Sequence, residues 1–136
     1  MLWPLVLVVL LQAAAPSSMT IITRDLMSQI DSPRSAVAQT PAEWAALWRQ
    51  HAGETPPPAV DLDARTVVAV FLGSRSSAGY AVDIIGVERS SSVLIVKYQE
   101  RRPAPGDITA QVLTSPAVIA SVPKFTGTIR FEKVAP

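Results

Sequence analysis

The sequence predicts an α+β fold that is mostly β, with six or seven short strands and one main α-helix. One segment carries a complete set of residues that start and end a helix, and the chain from Arg65 onward consists of short apolar runs separated by turns rich in Pro, Gly and Ser. No second helical pattern interrupts those runs. Because strands joined without helices pair mostly antiparallel, we expect an antiparallel sheet, folded as a sandwich or a partly closed barrel.

The helix is predicted over residues 41–52. Thr40 is a favourable N-cap residue, and Pro41 suits the first helical position because its missing N–H costs nothing there. Glu43 completes a capping box with Thr40, and Gly53 ends the helix.

One face of this helix is aromatic. Trp44, Leu47 and Trp48 lie at positions i, i+3 and i+4 and therefore share a face. We expect this face to pack against the sheet; the alternative is an exposed aromatic binding face. His51 lies in the last turn, where positive charge is favoured, and is interpreted as a simple helix-end residue. A single histidine in a chain without cysteine does not form an ordinary zinc site.

The strands are predicted in chain order from their apolar runs. Residues 19–23 suit an edge strand or a tether, and residues 66–73, apolar on both faces, suit a central strand covered on each side. Residues 80–88 and 92–100 are expected to form a hairpin through the turn "RSSS". Three further runs complete the set: residues 107–114, 117–124 and 128–134.

Alternation within these runs predicts the core. In the second hairpin strand, Leu94, Val96 and Tyr98 are expected to point inward, and Lys97 and Gln99 outward. The predicted core residues are Trp44, Leu47, Trp48, Phe71, Val82, Ile84, Leu94, Val96, Tyr98, Ile129 and Phe131.

Residues 1–15 are predicted to be a secretory signal peptide. Residues 2–11 are apolar, and the alanines that follow suit a signal peptidase; a short uncleaved membrane anchor is the alternative. We therefore expect this leader, an N-terminal strand and connection at residues 16–39, and a β-rich domain at residues 40–136. The leader predicts an extracytoplasmic protein, periplasmic or secreted, that contacts a membrane only through an uncleaved N-terminal segment.

Composition excludes several classes of function. A net charge of +1 gives no electrostatic basis for binding nucleic acid, and the one short basic run, "ERRP" at residues 100–103, is interpreted as a solvated strand end. The chain has no cysteine, which excludes disulfides, lipid attachment and a thiol nucleophile. Asp61 and Asp63 resemble part of a calcium loop but lack its other ligands. We predict neither a metal site nor a cofactor.

Several segments resemble catalytic motifs, but none has the spacing, the backbone geometry or the partner residues that its motif requires. The sequence around Ser77 lacks the first glycine of a G-x-S-x-G nucleophile elbow. Ser121 and Lys124 match S-x-x-K by letter, but Pro123 prevents the single helical turn that this motif needs. A Ser-His-Asp triad would have to use His51, and no serine is marked as its partner. We therefore predict no catalytic residue and no enzymatic activity, with a small exported hydrolase or ligand-binding protein as the alternative.

Two polar segments are candidate partner-binding loops. In "GSRSSAGY", residues 73–80, Gly79 supplies a positive φ or a close backbone approach before Tyr80 re-enters the sheet. Arg75 and Tyr80 are residue types enriched at binding hot spots, and "RRPAPG" is expected at the same end of the sheet. Both segments could also be plain turns. The candidate binding residues are Arg75, Ser77, Gly79, Tyr80, Arg101 and Arg102.

Several segments resemble the C-terminal domain of the PrcB family, small exported proteins named after a subunit of a bacterial surface protease complex. The resemblance is carried by "EWAALW", "VVAVFLGSRSSAGYAVDI", "VKYQERRPAPGDITAQVLTSP" and "VPK", and it extends from about Glu43 to the end of the chain. It implies a non-catalytic accessory subunit that binds or stabilises an exported protease or another envelope protein.

The chain departs from the family pattern at two points. Ala78 stands before Gly79 where a second glycine is usual, and the lipoprotein cysteine that some members carry is missing. A looser similarity, limited to Gly79-Tyr80 and Arg102-Pro103, is to the chagasin type of protease inhibitor. Inhibition of a protease is therefore a further alternative.

Overall fold

The computed structural model describes residues 19–136, so the predicted signal peptide lies outside the described residues. Within this range the helix is neither long nor apolar enough to span a bilayer. The elements in chain order are β1 (Thr20–Asp25), β2 (Arg34–Ala38), α1 (Pro41–Ala52), β3 (Arg65–Phe71), β4 (Ala81–Arg89), β5 (Val93–Arg101), β6 (Ala117–Pro123) and β7 (Thr128–Lys133).

The seven strands of residues 19–136 form two sheets and no closed barrel. The larger sheet has the order β1-β6-β3-β2 and the smaller sheet the order β4-β5-β7. One face of the larger sheet packs against the smaller sheet, and its other face packs against α1. The mostly β, α+β prediction is therefore confirmed, and the sandwich describes the chain better than the barrel does.

Strand β3 is buried on both faces, as the sequence predicts. Val67, Ala69 and Phe71 belong to the core under the helix, whereas Val68 and Val70 belong to the core between the sheets. This split follows from the two-residue period of a strand. Each of the larger side chains stabilises the fold by about 1.5–3 kcal/mol through burial.

Helix α1 has the predicted bounds and the predicted caps. The Thr40 hydroxyl accepts a hydrogen bond from the Glu43 N–H at 3.2 Å, and the Glu43 carboxylate accepts one from the Gln39 N–H at 3.2 Å. At the other end, the Gly53 N–H donates to the Arg49 carbonyl at 2.9 Å. These bonds satisfy the Glu43 N–H, which the helix itself leaves unpaired, and the Gln39 N–H just before the helix.

The aromatic face of α1 is buried. Trp44, Leu47 and Trp48 all lie in the core under the larger sheet. The Trp44 indole N–H donates to the Pro58 carbonyl at 3.0 Å, and the Trp48 indole N–H donates to the Thr55 carbonyl at 2.9 Å. The Pro-rich connection that follows the helix thus supplies the polar partners that buried indoles need.

Eight of the predicted core side chains are buried, and Tyr98, Ile129 and Phe131 are half-buried and pack on the core between the sheets. Ile129 and Phe131 lie on β7, an edge strand of the smaller sheet, and Tyr98 lies toward the end of the central strand β5.

Residues 107–114 do not form the strand that was predicted. Within this segment only Thr114 forms a β-bridge, to Arg75, and a single further backbone hydrogen bond joins Ala110 to Ala78. The apolar residues of this segment are exposed, and no neighbouring strand runs beside it to complete a ladder. Strand formation depends on such a neighbour more than on intrinsic preference.

The prediction of antiparallel pairing fails at the last strand, because β7 pairs parallel with β5. The turn between β6 and β7 crosses from the larger sheet to the smaller one. Phe125 in this turn is buried, and the Lys124 ammonium donates to the carbonyls of Gln39 and Leu62 at 2.7 and 2.8 Å. The crossing is therefore anchored, and β7 becomes an edge strand of the smaller sheet.

Candidate functional site

The two candidate loops lie side by side at one end of the sandwich. The β3–β4 loop comprises residues 72–80, and the β5–β6 loop comprises residues 102–116. Their backbones exchange hydrogen bonds: the Arg75 N–H donates to the Thr114 carbonyl at 2.8 Å, and the Thr114 N–H donates to the Arg75 carbonyl at 2.9 Å. The structure therefore places both loops at the same end of the fold, as expected.

Gly79 lies at the closest approach of these loops. Its φ is +94°, and a Cβ atom built on it would lie 2.8 Å from Cγ of Pro103 and 3.1 Å from Cγ2 of Thr109. Next to it, the Ala78 N–H donates to the Ala110 carbonyl at 2.9 Å. Gly79 thus serves both purposes expected of it, a positive φ and a close backbone approach.

Ser77 holds the loops together from the inside. Its carbonyl accepts a hydrogen bond from the Thr114 hydroxyl at 3.0 Å, and its own hydroxyl donates to the Ala78 carbonyl at 3.0 Å. The side chain is buried. Ser77 therefore has a structural role and does not present its hydroxyl to a partner.

A buried carboxylate organises the base of the loops. The side chain of Glu100 is only 2% exposed, and three cations surround it. Arg75 Nε and Lys133 Nζ each lie 2.9 Å from its carboxylate oxygens, and Arg102 Nη2 lies 3.6 Å away. The interpretation of "ERRP" as a solvated strand end is therefore wrong for Glu100.

The cations keep Glu100 ionised. Burial by itself raises the pKa of this carboxyl group, but the hydrogen bonds and charges of Arg75 and Lys133 outweigh burial and lower the pKa from 4.5 to about 2. A carboxylate with this pKa carries its full negative charge at neutral pH. It therefore fixes the positions of the side chains that surround it.

Arg75 is less exposed than a partner-binding residue should be. Its side chain is 26% exposed, and its Nη1 donates to the carbonyls of Leu72 and Ser74 at 3.0 and 3.1 Å. Its guanidinium carbon lies 5.9 Å from the centre of the half-buried Tyr80 ring. Arg75 thus connects Glu100, the loop backbone and Tyr80, whereas Arg102 remains exposed at the surface.

Arg101 lies apart from the other candidate residues. It lines an open groove of about 370 Å³ on the smaller sheet, together with Gln99 and Asp83. Arg24 reaches the same groove from β1, and its Nε donates to Asp83 at 3.0 Å. Successive strand residues point to opposite faces, so Arg101 cannot join the cluster that Glu100 forms.

Exposed apolar side chains lie on the β5–β6 loop and at the end of β1 beside it. We call this group the apolar crest; it consists of Leu26, Met27, Ile108, Val112 and Leu113, all of them exposed. The Ser115 N–H donates to the Leu26 carbonyl at 2.8 Å, which brings the end of β1 beside the β5–β6 loop. Monomeric proteins rarely expose large apolar side chains together, and such groups mark interaction surfaces.

Glu100 and Lys133 are the residues at the base of the loops that the sequence interpretation missed. The signal for both was the two-residue period of their strands. Continuing the inward series of β5 beyond Tyr98 leads to Glu100, and continuing that of β7 beyond Phe131 leads to Lys133.

A second polar cluster surrounds His51, which lies in the last turn of α1 on the face turned toward the larger sheet. His51 is buried, with Nδ1 2.8 Å from the Ser28 hydroxyl and Nε2 3.6 Å from an Asp25 carboxylate oxygen. The Ser28 hydroxyl also accepts a hydrogen bond from the Ile30 N–H at 3.1 Å. Ser28 is itself buried, so a substrate has no access to its hydroxyl. His51 lies in the last turn of α1, as predicted, but its ring is buried in the core and not exposed at the helix end.

The His51 cluster predicts a loss of stability in mild acid. Burial lowers the pKa of His51 from 6.5, and the charge of Asp25 offsets only part of this effect. Because the unfolded chain then binds the proton more tightly, the free energy of unfolding should fall as the pH decreases below about 6.5, by at most about 1.4 kcal/mol per pH unit. Urea unfolding between pH 7 and 5 measures this slope. The variant His51→Gln should flatten it, and an unchanged slope in the variant would assign the effect to another group.

Among residues 19–136, no three His, Asp or Glu side chains are arranged so that they could hold a metal ion.

Comparison with known proteins finds a family model that matches part of the chain. The family model described as "PrcB C-terminal" matches residues 66–123, which run from β3 through both paired loops to the end of β6. The resemblance predicted from the sequence is thereby confirmed over this range. No curated protein and no solved structure matches the chain.

Proposed function

We propose, from the match of residues 66–123 to the PrcB C-terminal family, that this protein is a non-catalytic, exported binding subunit that associates with an extracytoplasmic protease. The observation that carries the proposal is the surface formed by the paired loops. It combines the exposed Arg102 and the half-buried Tyr80 with the apolar crest. We propose that the protease docks on this surface.

The chemistry of the surface supports protein binding. Apolar side chains such as Leu113, which is 72% exposed, gain stability when a partner covers them. An arginine or tyrosine beside such a group supplies specific polar contacts, and both types are common at hot spots. The rigid base formed by Glu100 and Arg75 reduces the conformational entropy that the loops would lose on binding.

The absence of catalysis is part of the proposal. Among residues 19–136, the arrangement that resembles a catalytic triad, at Ser28, His51 and Asp25, has a buried serine whose hydroxyl already accepts a backbone N–H. A nucleophile must reach the substrate carbonyl, and this one cannot without unfolding of the segment around it.

Affinity capture tests the proposal. The exported protein, purified with a C-terminal tag after expression from its full-length precursor, is incubated with native envelope extract, and bound proteins are identified by mass spectrometry. The test variant is Arg102→Ala/Leu113→Ser. Arg75 is left intact because its removal would leave the buried Glu100 carboxylate without one of the cations that neutralise it, and this would destabilise the fold. The matched control is Arg130→Ala/Ile85→Ser, which changes one exposed arginine and one exposed isoleucine outside the loops.

The wild type and the control should both capture the same protease, and the loop variant should retain about one tenth of it or less. Assaying the captured protease with and without the subunit then distinguishes stabilisation from inhibition. Equal capture by the loop variant, or capture of non-proteolytic proteins alone, would overturn the proposal.

A further inference from the structure

Residues 108–113, in the β5–β6 loop, have a backbone that is almost without partners. In the part of the chain that the structure describes, no group accepts a hydrogen bond from any of their six consecutive N–H groups. The Ala110 carbonyl is bonded to another segment, by the Ala78 N–H at 2.9 Å. None of these residues is helical and none has a positive φ. The segment is therefore an extended chain that lacks the neighbouring strand to which its backbone groups could bind.

The two edges of this segment differ. Ala110 and Thr114 both turn their backbone groups toward the β3–β4 loop, because they bond to Ala78 and Arg75 there. Successive residues of an extended chain turn these groups to opposite edges. The residues that turn theirs to the other edge, which we call the free edge, are Thr109, Gln111 and Leu113. On this edge the Gln111 side-chain amide lies 3.3 Å from the Thr109 carbonyl, and the structure gives these backbone groups no other bond.

One face of the segment is apolar. Ile108, Ala110 and Val112 alternate along the chain, so their side chains point to the same side, and all three are exposed. Residues 108–115 contain neither a charged residue nor a proline. Natural sheets usually protect a free edge from pairing with charges, prolines or bulges. This edge lacks the first two of these protections, and it is therefore a template for pairing with another chain.

The loop holds the segment in position from both ends. Before it, the Asp107 N–H donates to the Ala104 carbonyl at 3.0 Å, and the Asp107 carboxylate accepts from the Ala104 N–H at 2.8 Å. After it, the buried Thr114 exchanges two backbone hydrogen bonds with Arg75. A segment fixed at both ends loses less conformational entropy when a partner strand pairs with it.

We propose that the free edge of residues 109–113 pairs with an extended, uncharged strand of the protease, whose apolar side chains lie beside Ile108 and Val112. Donors and acceptors that repeat every two residues, about 7 Å apart, match another extended backbone better than they match a surface of side chains. This inference rests on the proposed function and specifies how the partner is held.

Hydrogen exchange of the complex tests the inference. The exported protein is captured with its protease, exchange is started in the complex and in the free protein, and amide deuteration is measured at single residues by mass spectrometry. Exchange at Thr109, Gln111 and Leu113 should slow at least about tenfold in the complex, because each N–H gains an acceptor. Ala110 and Val112, whose N–H groups face the other edge, should change much less.

This alternation distinguishes strand pairing from the other ways of covering the segment. Equal slowing at all residues from 108 to 113 would mean that side chains of the partner cover it, and would overturn the pairing. The same alternation in the free protein at about 0.5 mM, lost on dilution, would mean that a second copy of this chain pairs there, and would overturn the assignment to the protease.

Proline substitution removes one donor from the free edge. Gln111→Pro deletes an N–H that the described fold does not use, and the residue before a proline favours the extended conformation. Capture of the protease by this variant should weaken about tenfold, whereas Gln111→Ala, which keeps the N–H, should weaken it less than about twofold. The matched control is Ser91→Pro, which also deletes an unbonded N–H but lies in the exposed β4–β5 turn. It should capture as much protease as the wild type.

Urea unfolding establishes whether each variant keeps the wild-type fold, and the exchange pattern of the wild-type complex decides alone if Gln111→Pro does not. Undiminished capture by a folded Gln111→Pro would overturn the pairing and leave the proposed function intact. Absence of a protease from the wild-type capture would instead overturn the proposed function, and this inference with it.

Discussion

Replacement of Glu100 by glutamine is expected to lower the free energy of unfolding by about 3 kcal/mol at neutral pH. The pKa of Glu100 is about 2 in the fold and 4.5 without the fold's interactions, and this difference corresponds to about 3 kcal/mol. Glutamine resembles the protonated acid in shape but leaves Arg75 and Lys133 without a counter-charge. Removing one member of a buried ion pair lowers the free energy of unfolding by an amount of this size. Urea unfolding monitored by tryptophan fluorescence measures the change.

The same carboxylate sets a second acid transition. A folded-state pKa below the unfolded value means that Glu100 stabilises the fold fully above pH 4.5, and that this stabilisation is lost as the pH falls from 4.5 toward 2. The Glu100→Gln variant should lack this loss. Glu54→Gln, at an exposed position, is the control and should change stability by less than about 0.5 kcal/mol. A Glu100→Gln protein as stable as the control would show that the cation cluster contributes nothing.

Gly79→Ala is expected to lower the free energy of unfolding by about 2–3 kcal/mol and to separate the paired loops. The substitution combines two costs. A φ of +94° is unfavourable for alanine by about 1–2 kcal/mol, and the new methyl group would lie 2.8 Å from Pro103 Cγ, so the loops must move apart. Urea unfolding gives the stability, and amide exchange of Ala78 and Thr114 reports whether the hydrogen bonds between the loops persist.

Gly106→Ala is the matched control for this change. Gly106 also has a positive φ, +89°, but no atom lies within 4 Å of a Cβ built on it. The Gly106→Ala variant should therefore lose only about 1 kcal/mol of unfolding free energy, from the conformational cost alone. Amide exchange at Ala78 and Thr114 should be unchanged. Equal effects of both substitutions would mean that the contact with Pro103 carries no energy, and that the loops are not held together at Gly79.

The sequence predicted those parts of the fold that depend on local chemistry and on simple periods. The bounds of α1 follow from Thr40, Glu43 and Gly53, and the burial of β3 follows from its apolar faces. The β4–β5 hairpin follows from its Ser-rich turn. Each of these signals lies within a few residues of the structure it specifies, so one sequence suffices to detect it.

The parts that the sequence did not predict depend on contacts between distant segments. The parallel pairing of β7 with β5 is set by the crossing at Phe125, and no local pattern states which sheet a strand will join. Residues 107–114 have the composition of a strand but lie where no strand is available to pair with them.

The sequence predicted where the candidate loops lie but not which interactions hold them together. The two loops, Tyr80 and Arg102 are together, as expected, but the residue that unites them is Glu100. A glutamate followed by two arginines has the composition of a solvated segment. The burial of Glu100 is predicted only when the two-residue period of β5 is followed to the end of the strand. Arg101, adjacent in sequence, faces a different groove for the same reason.

The strand order has a consequence for the time at which this chain can fold. Thr20 pairs with Ser121 in the larger sheet, and Val93 pairs with Thr128 in the smaller one. Both sheets therefore need strands from the last fifth of the chain, and pairings so distant in sequence form slowly. Strands β2 and β3, and strands β4 and β5, can pair before β6 is made. The two sheets are consequently completed only when synthesis is nearly finished, and a chain truncated before β6 lacks the strand that joins β1 to β3.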